Sequence, residues 1–191
     1  MDRLDTGDLA IVPSDGHEED ELRHYVAITS VGGTWFVGNG SHVKDVSRSF
    51  TSHIDAFTAL SELAYEPDPP ILTPRILAVI EGPDIPSGWI GVGAARRGST
   101  TDLEHVWLQT SGVSAGWALS LRTYIGDRND PRTHAEPTWR STEHTVRRTA
   151  EELWNRLHPE VRVLVVAVDL TTGEAIALER DQPQYPRIVG A

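Results

Sequence analysis

The chain contains no cysteine. Disulfides, thiolate nucleophiles and cysteine-ligated zinc are therefore excluded. The absence decides one motif at once. His134-Ala135-Glu136-Pro137 has the H-x-E lettering of a zinc nucleobase deaminase, but that site also needs a P-C-x-x-C partner. Lysine occurs once, at Lys44, so the basic residues are almost all arginine. No apolar run approaches the roughly eighteen residues of a membrane span. The opening Met1-Asp2-Arg3-Leu4-Asp5 lacks the basic and apolar regions of a signal peptide. The expected setting is thus cytoplasmic, with no membrane partner. A formal net charge of −11 argues against a nucleic-acid partner, because a phosphate backbone demands a basic face. The eight histidines fall in no H-E-x-x-H or comparable spacing, so no metal is expected. Gly91-Val92-Gly93-Ala94 with Gly98 has the wrong spacing for a dinucleotide fingerprint and no helix pattern after it, so it carries no weight.

What is present reads as one domain over residues 1–191. Alternating or β-branched apolar runs predict strands over 8–12, 24–31, 34–37, 75–80, 89–94, 104–109, 116–124, 161–168 and 174–179. Gly32-Gly33 predicts a tight hairpin between two of them, and Asp169 to Gly173 a second. Val46, Phe50, Ile54, Phe57, Leu60, Leu63 and Ala64 recur at helical spacing, predicting one helix over 46–64 that Pro67 stops. Val146, Ala150, Leu153, Trp154 and Leu157 predict another over 141–157, capped by Ser141 or Thr142. Ile125 to Arg140 reads as a long polar loop, and the tail 182–191 as a surface segment. Many strands with two helices predict an α+β layered domain.

The chemistry-bearing residues concentrate between Trp35 and Arg75. Asn39-Gly40-Ser41-His42 joins a strand to a helix, where glycine permits close backbone approach and Asn, Ser and His offer donors and acceptors. Its plain alternative is a capped turn. Glu66 is placed at the end of the first helix, where a carboxylate faces the negative end of the dipole and suits acid/base work; the alternative is an exposed acid beside Asp68. Thr73-Pro74-Arg75 opens a buried strand, and its guanidinium needs either an anionic ligand or a structural ion pair with Glu66 or Asp68. Arg122-Thr123-Tyr124 ends another strand and offers a second anion clamp or strand-end hydrogen bonds.

Together these segments resemble the archaeal-type inosine monophosphate (IMP) cyclohydrolase family. The likeness starts at Leu9-Ala10-Ile11-Val12-Pro13 with Gly16-His17-Glu18, and continues through His24-Tyr25-Val26-Ala27. It is strongest in Gly38-Asn39-Gly40-Ser41-His42, then follows the family's order in Tyr65-Glu66 with Asp68 and in Thr73-Pro74-Arg75-Ile76. Ile90-Gly91-Val92 and Thr123-Tyr124 match more weakly.

The resemblance implies a four-layer αββα sandwich, the Ntn-hydrolase-like fold, without an N-terminal nucleophile. It implies cofactor-free closure of the second purine ring on a formamido-imidazole-carboxamide nucleotide. On that basis Glu66, Tyr25 and His42 are catalytic candidates. Asn39, Gly40, Ser41, Thr73, Arg75, Arg122, Thr123 and Tyr124 are substrate-binding candidates. Two departures are expected: the family's N-terminal strand pair with an S-R-S-F-P-N-R-like motif is lacking, and its active-site tyrosine falls at Ile28. Ser47-Arg48-Ser49-Phe50 copies the letters inside the helix, while Arg122 or Arg128 could supply the guanidinium and Tyr25 or Tyr124 the phenol. These departures motivate two other readings: a different cyclisation, dehydration or hydrolysis in specialised metabolism, and a non-catalytic nucleotide-binding module. Six tryptophans suit a homo-oligomer contact.

Overall fold

A computed structural model describes residues 8–12, 24–82, 88–98, 102–126, 131–142, 145–160, 162–180 and 187–190. Pro13 to Arg23, which carry the G-H-E likeness, and Arg128 lie outside the described residues. In chain order the elements are β1 (Leu9–Val12), β2 (Tyr25–Val31), β3 (Thr34–Gly38), α1 (His42–Ser49), α2 (His53–Glu62), β4 (Arg75–Glu81), β5 (Ile90–Arg96) and β6 (Glu104–Thr110). There follow β7 (Trp117–Ser120), β8 (Tyr124–Gly126), β9 (Pro131–Thr133), β10 (Thr138–Ser141), α3 (Val146–Arg156), β11 (Leu164–Val168), β12 (Ala175–Glu179) and β13 (Arg187–Gly190). The fold mixes α and β elements. Its main sheet is antiparallel throughout: β1 to β6 form a meander in chain order, and β13 pairs on the outer side of β1.

The meander begins where the sequence demands it. Gly32 and Gly33 hold φ of 57° and 83°, so both central residues of the β2–β3 turn adopt the left-handed region that a twisted two-residue hairpin requires. Alternation along the strands then divides the side chains between two faces. Phe36, Leu77 and Val79 face α1 and α2 and are wholly buried with Val43, Ala56 and Leu60. Each such side chain contributes about 1.5–3 kcal/mol on burial. Glycines in β5 make room for the helix layer: a Cβ on Gly93 would come within 2.4 Å of Leu60 and Trp107, and one on Gly91 within 2.4 Å of the Trp89 and Trp107 indoles. On the opposite face the register sets Ile28, Val37, Ala78, Val92 and Leu108 in one apolar row across five strands.

Several expectations are corrected. The single helix over 46–64 is two helices, because Phe50 is extended (φ −70°, ψ 121°) and its ring turns inward to meet Phe36 edge-on at 5.1 Å. The second helix then starts afresh, with Asp55 accepting from the Thr51 N–H at 3.0 Å and its hydroxyl at 2.6 Å. Ser52-His53-Ile54-Asp55 carries the S-x-x-D lettering of a capping box, a signal for this restart. The strand over 116–124 breaks into β7 and β8 around Leu121–Thr123. The polar stretch 125–140 supplies β9 and β10, which pair with β8 and β7 as two-stranded ribbons. The cap of α3 is Thr145, which accepts from the Arg148 N–H, and the tail holds β13. The second predicted hairpin forms as expected, with Asp169 accepting from Thr171 and Thr172 N–H. α3 packs on β11 and β12 through Ala150, Val165, Ile176 and Trp154. Among the described residues no helix is long and apolar enough to cross a membrane.

Candidate functional site

β3 stops at Gly38, opposite Leu77, while β4 begins two residues earlier, at Arg75. The backbone groups of β4 beyond that point need partners. Side chains of the N-G-S-H segment provide them. Asn39 Nδ2 donates to the Pro74 carbonyl at 2.9 Å, and Asn39 Oδ1 accepts from the Ile76 N–H at 2.8 Å. The Asn39 amide thus continues the ladder in place of a backbone unit. His42, the first residue of α1, places Nε2 2.9 Å from the Ile76 carbonyl. Because that carbonyl only accepts, Nε2 carries the proton and Nδ1 is the bare acceptor nitrogen.

Gly40 sits between this arrangement and Glu66. A Cβ there would lie 2.7 Å from Glu66 Oε1 and 3.0 Å from His42 Nδ1, so any other residue would push the carboxylate or the ring aside. Ser41 occupies the cap position of α1 but makes no capping bond with its side chain.

Glu66 is not at a helix terminus, since α2 ends at Glu62. Its place is set by the loop: its N–H donates to the Thr73 carbonyl at 2.8 Å. The carboxylate is buried, and Arg75 Nη2 donates to Oε2 at 3.0 Å. The structural ion pair weighed for Arg75 therefore exists. It leaves Arg75 Nε and His42 Nδ1 buried without a hydrogen-bond partner. Such orphaned groups cost about 1–3 kcal/mol each and are a recurring mark of functional sites.

Electrostatics fix the protonation states nearby. Burial, and then the negative charge of Glu66, push the Tyr25 phenol above its ordinary value of 10.0, so it is a proton-bearing group at neutral pH. His42 is lowered from 6.5 to about 4: burial dominates, and the Arg75 charge adds to it against the Ile76 carbonyl and Asp45. At neutral pH His42 is thus an uncharged acceptor rather than a proton donor.

Thr73 and Tyr124 join the cluster from another direction. Thr73 Oγ1 donates to Asp68 Oδ2 at 2.5 Å and lies 2.5 Å from the Tyr124 hydroxyl. Arg122 and Thr123 act through their main chain, their carbonyls accepting from Ala135 and His134 N–H, and the Arg122 side chain is exposed. Among the described residues the Arg122 guanidinium makes no bond to this cluster. Ser47 and Ser49 bond backbone carbonyls within α1, and Ile28 belongs to the apolar row on the face away from α1 and α2. Two residues that spacing alone did not single out for the site complete it: Asp68, as the acceptor that holds Thr73, and Gly38. A Cβ on Gly38 would fall 2.5 Å from the Ile76 carbonyl. The G-N-G rhythm was the available signal for the second.

Comparison with curated proteins finds no match. Residues 2–174 match the family described as IMP cyclohydrolase-like protein. That span takes in β3, the N-G-S-H turn, the Glu66 loop and β4, the segments that meet around the Glu66–Arg75 pair, and the chain belongs to the IMP cyclohydrolase-like family.

Proposed function

We propose that the protein is a cofactor-free cyclohydrolase that closes, or hydrolytically opens, the six-membered ring of a purine nucleotide. The family membership supports a cyclohydrolase role. The observation that carries the finer reading is the buried Glu66 carboxylate, held by Arg75 beside a protonated Tyr25 phenol. In the closing direction the carboxamide nitrogen attacks the formyl carbon. A C–N bond forms, the nitrogen gives up a proton, and the formyl oxygen leaves as water with two protons gained from the two nitrogens. Glu66 is the group to take the amide proton, and Tyr25 the group to hand one to the departing oxygen. Arg75 orients Glu66, and the bound geometry replaces an encounter in solution. Asn39 and His42 serve as scaffold for β4, while Ser41, Thr73 and Tyr124 face the nucleotide. Under this reading the apolar row through Val37 and Ala78 is covered by a second sheet, in the αββα order of the Ntn-hydrolase-like fold.

The test is direct. The protein is mixed with the formylated nucleotide and the purine product followed by ultraviolet absorbance. Turnover that falls about 10²–10⁴-fold in Glu66→Gln supports the assignment. No turnover by the wild type at high concentration rejects it. A second reading draws on Ile28, whose side chain lies in the apolar row where the family resemblance calls for a phenol. It makes the chain a member acting on a different ring or amide bond, and nucleotide-dependent thermal stabilisation without turnover would favour it or a binding module.

A further inference from the structure

The loop between Glu66 and Arg75 has a hydrogen-bond polarity that the roles above do not use. Asp68 closes it: its carbonyl accepts from Ile71 and Leu72 N–H, and its Oδ1 accepts from the Thr73 N–H at 2.7 Å. Leu72, just before Thr73, holds φ of 54°, a left-handed conformation that is unfavourable for a non-glycine residue and persists only where its surroundings enforce it. Thr73 is thus placed at a cost, and its hydroxyl stands between Asp68 Oδ2 and the Tyr124 hydroxyl, 2.5 Å from each. A hydroxyl has one proton, and a carboxylate can only accept. The Thr73 proton therefore points to Asp68. Thr73 Oγ1 is then an acceptor on its other side, so the Tyr124 O–H points at Thr73. The phenol oxygen is left with its lone pairs turned outward, on an exposed ring that Thr73 ties to the loop between Glu66 and Arg75.

We propose that Asp68, acting through Thr73, fixes Tyr124 as a hydrogen-bond acceptor toward the ligand, so that this end of the site takes a ribose hydroxyl and turns the phosphate away. The proposal rests on the nucleotide reading above. It assigns Asp68 as a positioning residue and Tyr124 as a specificity contact, and it removes Tyr124 from any anion clamp. A phosphate offers oxygens to be donated to, whereas a ribose offers hydroxyl protons, so the direction of one chain of protons selects between them.

The test has a ligand-free arm and a ligand arm. Neutron diffraction from ligand-free crystals is expected to place the Thr73 deuterium toward Asp68 and the Tyr124 deuterium toward Thr73; the reverse order overturns the proposal. In the ligand arm, calorimetry compares inosine 5′-monophosphate, its 2′,3′-dideoxy analogue and inorganic phosphate. Tyr124→Phe is expected to bind the ribonucleotide roughly tenfold more weakly and the dideoxy analogue as the wild type does. In Asp68→Asn the Thr73 N–H keeps the amide oxygen, so the NH₂ faces Thr73 Oγ1 and the chain reverses. That variant is expected to lose about tenfold for the ribonucleotide and to gain about tenfold for inorganic phosphate. Thr73→Val guards against a folding defect in Asp68→Asn: it removes the relay and is expected to lose the ribose preference, while Thr73→Ser restores it. Equal losses for both nucleotides in every variant overturn the proposal as a merely structural effect. A wild type that binds neither nucleotide overturns the ribose assignment together with the functional reading, whereas nucleotide binding without any ribose preference overturns this proposal alone.

Discussion

The β1–β6 sheet with α1 and α2 and the smaller unit of α3, β11 and β12 keep their interiors differently. In the first, Phe36, Leu77, Val79, Val43 and Ala56 are all 0% exposed, and His42 and Glu66 are buried among their surroundings. In the second, Ala150 alone among the described residues is fully buried; Val165 and Ile176 keep 9% and 7%, and Leu153 on α3 and Leu157 just past its end are exposed. The ion pairs differ as well. Glu66–Arg75 is buried, whereas Arg148 and Arg156 meet Glu152 at about the contact limit on an open helix face, where such pairs contribute little. A buried carboxylate can be held in place only where dense packing denies it other positions, and that is where the candidate site lies.

Matched truncations sharpen this contrast most. Leu77→Ala is expected to cost about 4 kcal/mol, near the upper end for a core aliphatic, and Ile176→Ala about 2 kcal/mol because its surroundings can collapse or admit water. Urea denaturation of both variants checks the ordering. Equal losses would break the comparison and make the two interiors energetically one.

Histidine 42 gives the next effect. Its folded value, about 4, lies below its ordinary 6.5, so protonation favours the unfolded chain. The stability it contributes is complete above pH 6.5 and is lost as pH falls toward 4, by roughly 3 kcal/mol across that window. His42→Gln keeps a donor for the Ile76 carbonyl and carries no titrating ring, so its stability should vary less over the same range. Denaturation midpoints at pH 7 and 4.5 measure it, and an unchanged slope would locate the acid sensitivity elsewhere. The smallest effect belongs to the second unit: Thr145→Ala removes the side-chain cap of α3 and should cost about 1 kcal/mol, read by thermal melting.

Much of the first unit was legible residue by residue. The Gly32-Gly33 turn and the period-two apolar runs gave the β2–β3 hairpin and the main strands, because a hairpin and a half-buried strand are local patterns. The helix break at Phe50 was hidden because Phe50 is apolar and falls on the helical stripe; only its contact with Phe36 shows why the chain turns it inward. The stretch 125–140 looked like a loop because β9 and β10 are short and polar, and a ribbon of three or four residues has too little periodicity to announce itself. Glu66 reads as helix-terminal in the sequence, whereas its N–H donates to the Thr73 carbonyl across a loop, a bond that no helical spacing announces.

By itself the sequence determined most of the strands, two tight hairpins and the set of polar residues clustered between Trp35 and Arg75, all of which follow from period and local turn chemistry. Only the tertiary structure decided what those residues do for one another. Asn39 completes β4, Gly40 clears space for Glu66, Arg75 neutralises it, and Thr73 joins Asp68 to Tyr124. These relations cross from one element or loop to another, set by register and packing, and no spacing along one strand or helix contains them.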